Sequence, residues 1–184
     1  MFKKQKAFTL IELVITLVII GIVLGLAMPN FTKLITNNSS LALGGDLVAA
    51  INFARQEAVK RGKRVSLCPS TDGATCLTSA DWAKGWMVFE DQAASDGVDP
   101  VIDLNIPIIR QWTDLNKKAV ITATATAAIG YLRFTGNGML ARANNADVSP
   151  RVFVVSVTGC TGQSKSTVTV GLAGMNSLTK TACP

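Results

Sequence analysis

Phe8-Thr-Leu-Ile-Glu-Leu-Val-Ile-Thr-Leu-Val-Ile-Ile-Gly-Ile-Val-Leu-Gly-Leu-Ala-Met28, followed by Pro29, is the stretch that decides how this chain folds. It is apolar apart from Glu12, and its 21 residues measure about 31 Å as a helix at 1.5 Å per residue, the depth of a bilayer's hydrocarbon core. Met1 to Ala7 form a short leader in which Lys3, Lys4 and Lys6 predict a cytoplasmic N-terminus, so that everything beyond Pro29 lies on the far side. A carboxylate at the fifth position of such a run costs roughly 2.5–3.5 kcal/mol at bilayer depth and less near the interface. Thr9-Leu10-Ile11-Glu12 fits a capping box, with Thr9 as N-cap and Glu12 reaching back to otherwise unsatisfied N–H groups. Gly21 and Gly25 form a G-x-x-x-G pattern, which reads equally as a helix-packing face and as ordinary glycine use in a membrane helix. Two glycines and Pro29 make local melting cheap here.

Beyond Pro29 the helical period continues. Phe31, Leu34, Leu41, Val48, Ile51 and Ala58 recur at steps of three, four and seven, predicting an amphipathic half of the same helix. Asn37 to Ser40 and Gly44-Gly45 are weak helix formers and predict bending, and Gly62 after the charged turn Arg55 to Arg61 predicts its end. After Gly62 the period becomes two. Strands are expected over 65–68, 86–89, 106–112, 120–126, 131–134, 139–142, 152–158 and 167–170. Phe134 to Met139 reads as a hairpin turn, and Asp91 to Pro100 as a surface loop. The expectation is an α+β chain, a small antiparallel sheet wrapped on the second half of a long helix.

All four cysteines follow the apolar segment, as suits an oxidising, periplasmic compartment. Of the three possible pairings, the sequence-local Cys68–Cys76 and Cys160–Cys183 are expected, contributing roughly 2.5 and 3.5 kcal/mol by loop entropy. A zinc site is the rival, but C-x₇-C with no histidine in the chain is poor ligand spacing, so no metal and no cofactor is expected. The absence of histidine also removes the commonest general base. Ser164 and Ser166 lack nucleophile-elbow spacing, and Asp46, Glu57 and Asp72 have no partner that sequence can place, so no enzyme is expected. The formal charge of +6 includes three leader lysines; without them 15 basic residues face 12 acidic ones, or +3, which by itself does not argue for nucleic acid.

The basic leader, the small residue before Phe8, the string Phe8-Thr9-Leu10-Ile11-Glu12-Leu13 and the terminal Pro29 resemble the class III leader and N-terminal helix of type IV pilins and pseudopilins. That resemblance implies cleavage between Ala7 and Phe8 by a prepilin peptidase, with N-methylation of Phe8. The family usually has Gly at the position of Ala7, a departure that bears on cleavage rate. It also implies that Glu12 pairs with the Phe8 α-amine of a neighbouring subunit, and that the stretch ending at Pro29 loses helicity in a filament. The segment Ser66-Leu67-Cys68-Pro69-Ser70, Asp72-Gly73, Cys76, Asp81-Trp82, Gly85-Trp86, Val88-Phe89 and Asp91 is similar to the GspH/FimT group, the FimT/FimU-like minor pilins in particular. Trp82 and Trp86 read as core packing.

The organisation expected is therefore a cleaved leader over 1–7, a transmembrane helix half over 8–28, an amphipathic half over 29–61 and a periplasmic β-rich domain over 62–184. The resemblance implies a structural subunit that initiates or caps pilus assembly. Its partners would be major and minor pilins, the prepilin peptidase, the inner-membrane assembly platform and membrane lipid. It would sit in the inner membrane first and in the filament or its tip afterwards. The alternatives are a type II secretion pseudopilin and a DNA receptor for natural transformation. The DNA-binding members carry a basic C-terminal G-R-x-R motif, which is missing here; Gly159 to Gly162 and Gly171 to Gly174 contain no Arg. Arg151, Lys165 and Lys180 are the late cations left for DNA, scattered where phosphate binding needs a cluster.

Overall fold

The computed structural model describes residues 8–124, 130–142, 147 and 149–183, with the side chains of 26–30 left aside. Ala7, the leader lysines and the end of the strand expected over 120–126 lie outside the described residues, as does the side chain of Pro29. The chain forms two compact units, residues 1–35 and residues 36–184.

One helix, α1 (Leu10–Arg61), begins in the first unit and ends in the second. Its N-terminus is the expected capping box: the Glu12 amide donates to Thr9 Oγ1 at 3.3 Å, and the Thr9 amide donates to Glu12 Oε2 at 3.0 Å. Its C-terminus is a Schellman turn on Gly62 (φ +64°), with Gly62 N donating to Val59 O and Lys63 N to Ala58 O. Positive φ makes glycine the residue of choice there.

Eight strands follow: β1 (Val65–Pro69), β2 (Trp86–Glu90), β3 (Arg110–Trp112), β4 (Ala119–Thr124), β5 (Leu132–Phe134), β6 (Arg151–Val157), β7 (Lys165–Val170) and β8 (Asn176–Thr181). They make two antiparallel sheets, ordered β3-β2-β1-β5 and β4-β6-β7-β8, where one was expected. Of the expected strand over 106–112 only 110–112 pairs, and 139–142 gives a single bridge from Leu140 to Phe134. β8 was not anticipated, because Asn-Ser-Leu-Thr-Lys-Thr has no apolar alternation; its six-residue ladder with β7 defines it.

The helix face that packs on the sheets is Leu43, Leu47, Ala50, Ile51, Ala54 and Ala58. Ile51 and Ala58 of the expected stripe are buried, and the rest of it is corrected: Phe31 is 63% exposed, Leu34 is exposed, and Leu41 and Val48 are only half-buried. Steps of seven drift by about 20° per heptad around a 3.6-residue helix, so a stripe counted in sevens leaves the face it starts on. The weak helix formers do not interrupt the helix, which is unbroken over 52 residues. The weak helix formers serve as contacts instead. Asn37 accepts from Thr161 N at 2.8 Å, and Ser40 Oγ donates to Ser164 O at 2.6 Å while accepting from Val157 N. Gly44 lets the helix approach β7 closely, since a Cβ there would stand 2.5 Å from Ser166 Oγ.

The main core lies between this helix face and the inner faces of both sheets, and Trp82, fully buried in the turn Trp82–Lys84, meets Phe153 edge-to-face at 5.1 Å. A second cluster, Cys68, Met87 and Phe89, fills the opposite face of the first sheet under the loops. Cys68 is bonded to Cys76 and Cys160 to Cys183, with Cα separations of 5.6 and 5.8 Å. The second bridge fastens the end of edge strand β8 to the turn between β6 and β7, where Cys183 N also donates to Gly162 O.

The loop after β2 is organised by a buried charge pair. Asp91, read from sequence as loop surface, is buried, and its Oδ2 accepts from Arg133 Nε at 2.7 Å and from Ser66 Oγ at 2.5 Å. Oδ1 accepts from Ala93 N and Val101 N. Three further Arg133 bonds reach the carbonyls of Ser95, Asp96 and Val98, so both ions of the pair are hydrogen-bonded inside the protein.

Candidate functional site

From Leu10 onward the first unit is helical and offers an unusual surface. Leu10, Ile11, Leu13 to Ile15, Leu17 to Ile20 and Ile22 to Leu24 are all exposed large hydrophobics, and Phe8 is 86% exposed. Four consecutive exposed positions, at 100° per residue, already cover every side of the helix. A helix apolar all round is stable only in lipid or among other apolar helices. Gly21 and Gly25 lie open on it, with nothing within 4 Å of where a Cβ would stand.

Among the described residues no helix is long and apolar enough to cross a membrane. The side chains described in α1's apolar stretch end at Gly25, and residues 10–25 measure about 24 Å, short of the ~30 Å core. The apolar sequence itself continues to Met28.

Glu12 is the only charged residue between Phe8 and Gly25. Its carboxylate also accepts from Thr9 Oγ1 at 3.0 Å, which settles part of its hydrogen bonding within its own turn. Phe8 is still preceded by Ala7 in this chain, so it has no free α-amine with which Glu12 could pair. The helix passes through Pro29 without a break.

The three late cations are not brought together. Arg151 is buried, its Nη1 donating to Asp147 Oδ1 at 2.8 Å and to Ser149 O at 3.0 Å, and its Nη2 donating to Asp147 Oδ2. It is neither a surface charge nor a free phosphate donor. Lys165 pairs across the ladder with Thr181, and Lys180 with Ser166, which is buried against the helix side. Adjacent positions of one ladder point to opposite faces, so Lys165 and Lys180 stand on opposite sides of the sheet. Arg151 is opposite Val170, at the other end of β7 from Lys165. Among the described residues no group of three or more His, Cys, Asp or Glu could hold a metal ion.

Sequence reasoning missed the internal fastenings that give the domain its shape. Asp91–Arg133 joins residues 42 apart, and Arg55 Nε donates to Gly138 O across 83 residues. No local pattern announces such pairs. At the end of α1, Glu57 accepts from Lys60 and Arg61, and Glu90 from Lys63, Gln92 and Arg61. The Arg61 hydrogen bond, before all else, holds the Glu57 carboxyl below the usual carboxylate range, and the Lys63 hydrogen bond does so for Glu90.

Comparison with known proteins agrees with this architecture. The model of the family described as type II transport protein GspH matches residues 44–174, and that of the prokaryotic N-terminal methylation motif matches residues 2–28. The pilin-like protein PilA1 of Thermus thermophilus is 33% identical over 99 residues, covering 52% of this chain and 54% of PilA1. The match thus spans about half the length of that relative. The type IV narrow pilus major component PilA5 of the same organism is 35% identical over 85 residues, 41% of this chain and 72% of PilA5. Among solved structures, the type IV minor pilin FimU of Pseudomonas aeruginosa superposes with a TM-score of 0.51 at 24% identity, covering 77% of this chain and 88% of FimU, which is a likeness of fold. A methylation-motif helix leading into a two-sheet domain is the architecture of a non-enzymatic pilin-like subunit, and this chain belongs to the GspH family of such proteins.

Proposed function

We propose that this chain is a FimT/FimU-like minor type IV pilin, a structural subunit that initiates or caps a filament. The observation that carries the reading is the apolar helix surface exposed on every side, continuous with a helix half that anchors a two-sheet domain. In the inner membrane that surface meets lipid; in a filament it meets equivalent helices of major and minor pilins. A prepilin peptidase cuts between Ala7 and Phe8, Phe8 is N-methylated, and the inner-membrane platform draws the subunit into the filament. Cleavage creates the α-amine that the intact chain lacks, and Glu12 of one subunit then pairs with Phe8 of the next. The capping box keeps the carboxylate bonded in the meantime. Pro29 marks where the helix loses regularity on assembly.

The match to a family described by type II transport supports a second reading, a secretion pseudopilin working by the same packing. A DNA receptor has less support, because Arg151 is spent on Asp147 and the two lysines face apart. Deletion of the gene, scored separately for surface filaments, transformation and protein secretion, separates the three. Loss of filaments is expected, and loss of secretion alone overturns the minor-pilin reading. A Glu12→Ala subunit is expected to stay in the membrane fraction; normal incorporation into filaments would exclude the Glu12 pairing.

A further inference from the structure

Where the first sheet's edge strand β3 meets α1, one arginine is held by aromatic rings rather than by an acceptor. Arg55, Arg61, Arg64, Arg133 and Arg151 each donate to a carboxylate or carbonyl of the domain. Arg110 is exposed, and among the described residues its guanidinium has neither an ion pair nor a hydrogen-bond partner. It lies instead over aromatic rings, 4.7 Å from the centroid of Trp112 and 5.4 Å from that of Phe53. Those two rings meet edge-to-face at 6.2 Å and are half-buried against the core, so they form a fixed floor. The register places Arg110 opposite Val88 and Trp112 opposite Trp86, on the sheet face that packs on the helix, at its open edge.

A guanidinium held by stacking, with its N–H fork unspent, has already lost the side-chain freedom that a charge pair normally costs. Its geometry suits bidentate recognition of a carboxylate, and an Arg beside a Trp is the composition of an interface hot spot. A nucleic acid strand fits less well. The Trp112 face is covered by the guanidinium and closed to base stacking, and the flanking residues, Ile108, Ile109, Gln111 and Thr113, are uncharged with Asp114 acidic. We propose that Arg110, held over Trp112 and Phe53 at the rim between β3 and α1, is a docking point for an Asp or Glu side chain of an adjoining pilin-like subunit. It rests on the reading of the chain as a subunit of an assembly.

The test uses the full-length chain in cells, with a photo-crosslinking amino acid at Ala49, an exposed position one helical turn from Phe53. The expected adduct joins this chain to a pilin-like subunit through a peptide containing Asp or Glu. Arg110→Glu lowers its yield by about tenfold, Arg110→Lys lowers it less, and Arg110→Glu combined with the partner's acid changed to Arg restores it. Yields within twofold of wild type in Arg110→Glu overturn the proposal. So do adducts only with nucleic acid or lipid, a partner peptide without a carboxylate, or no adduct at all. Tryptophan fluorescence of each variant, with Trp112 under the substituted residue, verifies folding. The sheared surface fraction is blotted in parallel: absence of the chain there overturns the pilus reading, while the crosslinking outcome judges Arg110 on its own.

Discussion

Gly44 and Gly45 are neighbours in the same helix, and alanine should act on them with opposite sign. Both glycines sit inside α1, where Gly→Ala gains about 1 kcal/mol from helix propensity alone. Gly45 is exposed, with nothing within 4 Å of a new Cβ, so the whole gain should appear. At Gly44 the Cβ would stand 2.5 Å from Ser166 Oγ and 2.6 Å from Ser166 Cβ, and Ser166 is a fully buried residue of β7. Overpacking of this kind costs typically about 1–3 kcal/mol, which cancels or exceeds the propensity gain. The two variants should therefore differ by roughly 1–3 kcal/mol, or about 3–10 °C in Tm for a chain of this size. Thermal melts of the full-length chain in detergent micelles, followed by tryptophan fluorescence, report on the right unit, since Trp82, Trp86 and Trp112 all belong to it. Ser166→Gly in the Gly44→Ala background removes both clashing atoms, and a double-mutant cycle should return most of the difference as coupling. A Gly44→Ala melt equal to or above that of Gly45→Ala would refute the close-approach argument.

Asp91→Ala should cost about 3–5 kcal/mol by urea denaturation, because it leaves Arg133 charged, buried and unpaired; it should also open residues 95–98 to limited proteolysis. Replacing Cys160 and Cys183 by serine should cost roughly 3.5 kcal/mol, against about 2.5 kcal/mol for the Cys68–Cys76 pair. Amide exchange should then rise in β8, whose end that bridge holds. The depressed carboxyls of Glu57 and Glu90 contribute stability that is complete above the ordinary carboxylate pKa of 4.5 and is lost as pH falls through their lower folded-state values. Tm should thus be level from pH 6 to 5 and decline in acid below 4.5, and Glu90→Gln should flatten that decline.

What the sequence by itself determined is whatever rests on local spacing and composition. The capping box at Thr9 and Glu12, the Gly62 terminator, the apolar surface of the first helix half and the strand cores over 65–68, 86–89 and 152–157 depend on residues within a few positions of each other. Tertiary structure alone decided which residues those elements meet. Of the expected stripe Ile51 and Ala58 are buried, while Leu43, Leu47, Ala50 and Ala54 complete the face, because the domain surface chooses it. Strand β8 exists through its ladder to β7, the strands divide into two sheets, and Asp91 turns inward because Arg133 is there to receive it. Arg110 lies within the strand expected over 106–112, and its place over Trp112 and Phe53 came from bringing an edge strand against a helix more than fifty residues earlier. Local free energies are written residue by residue along a chain, whereas the pairing of distant faces follows from closing a core, and no short stretch of sequence contains both partners.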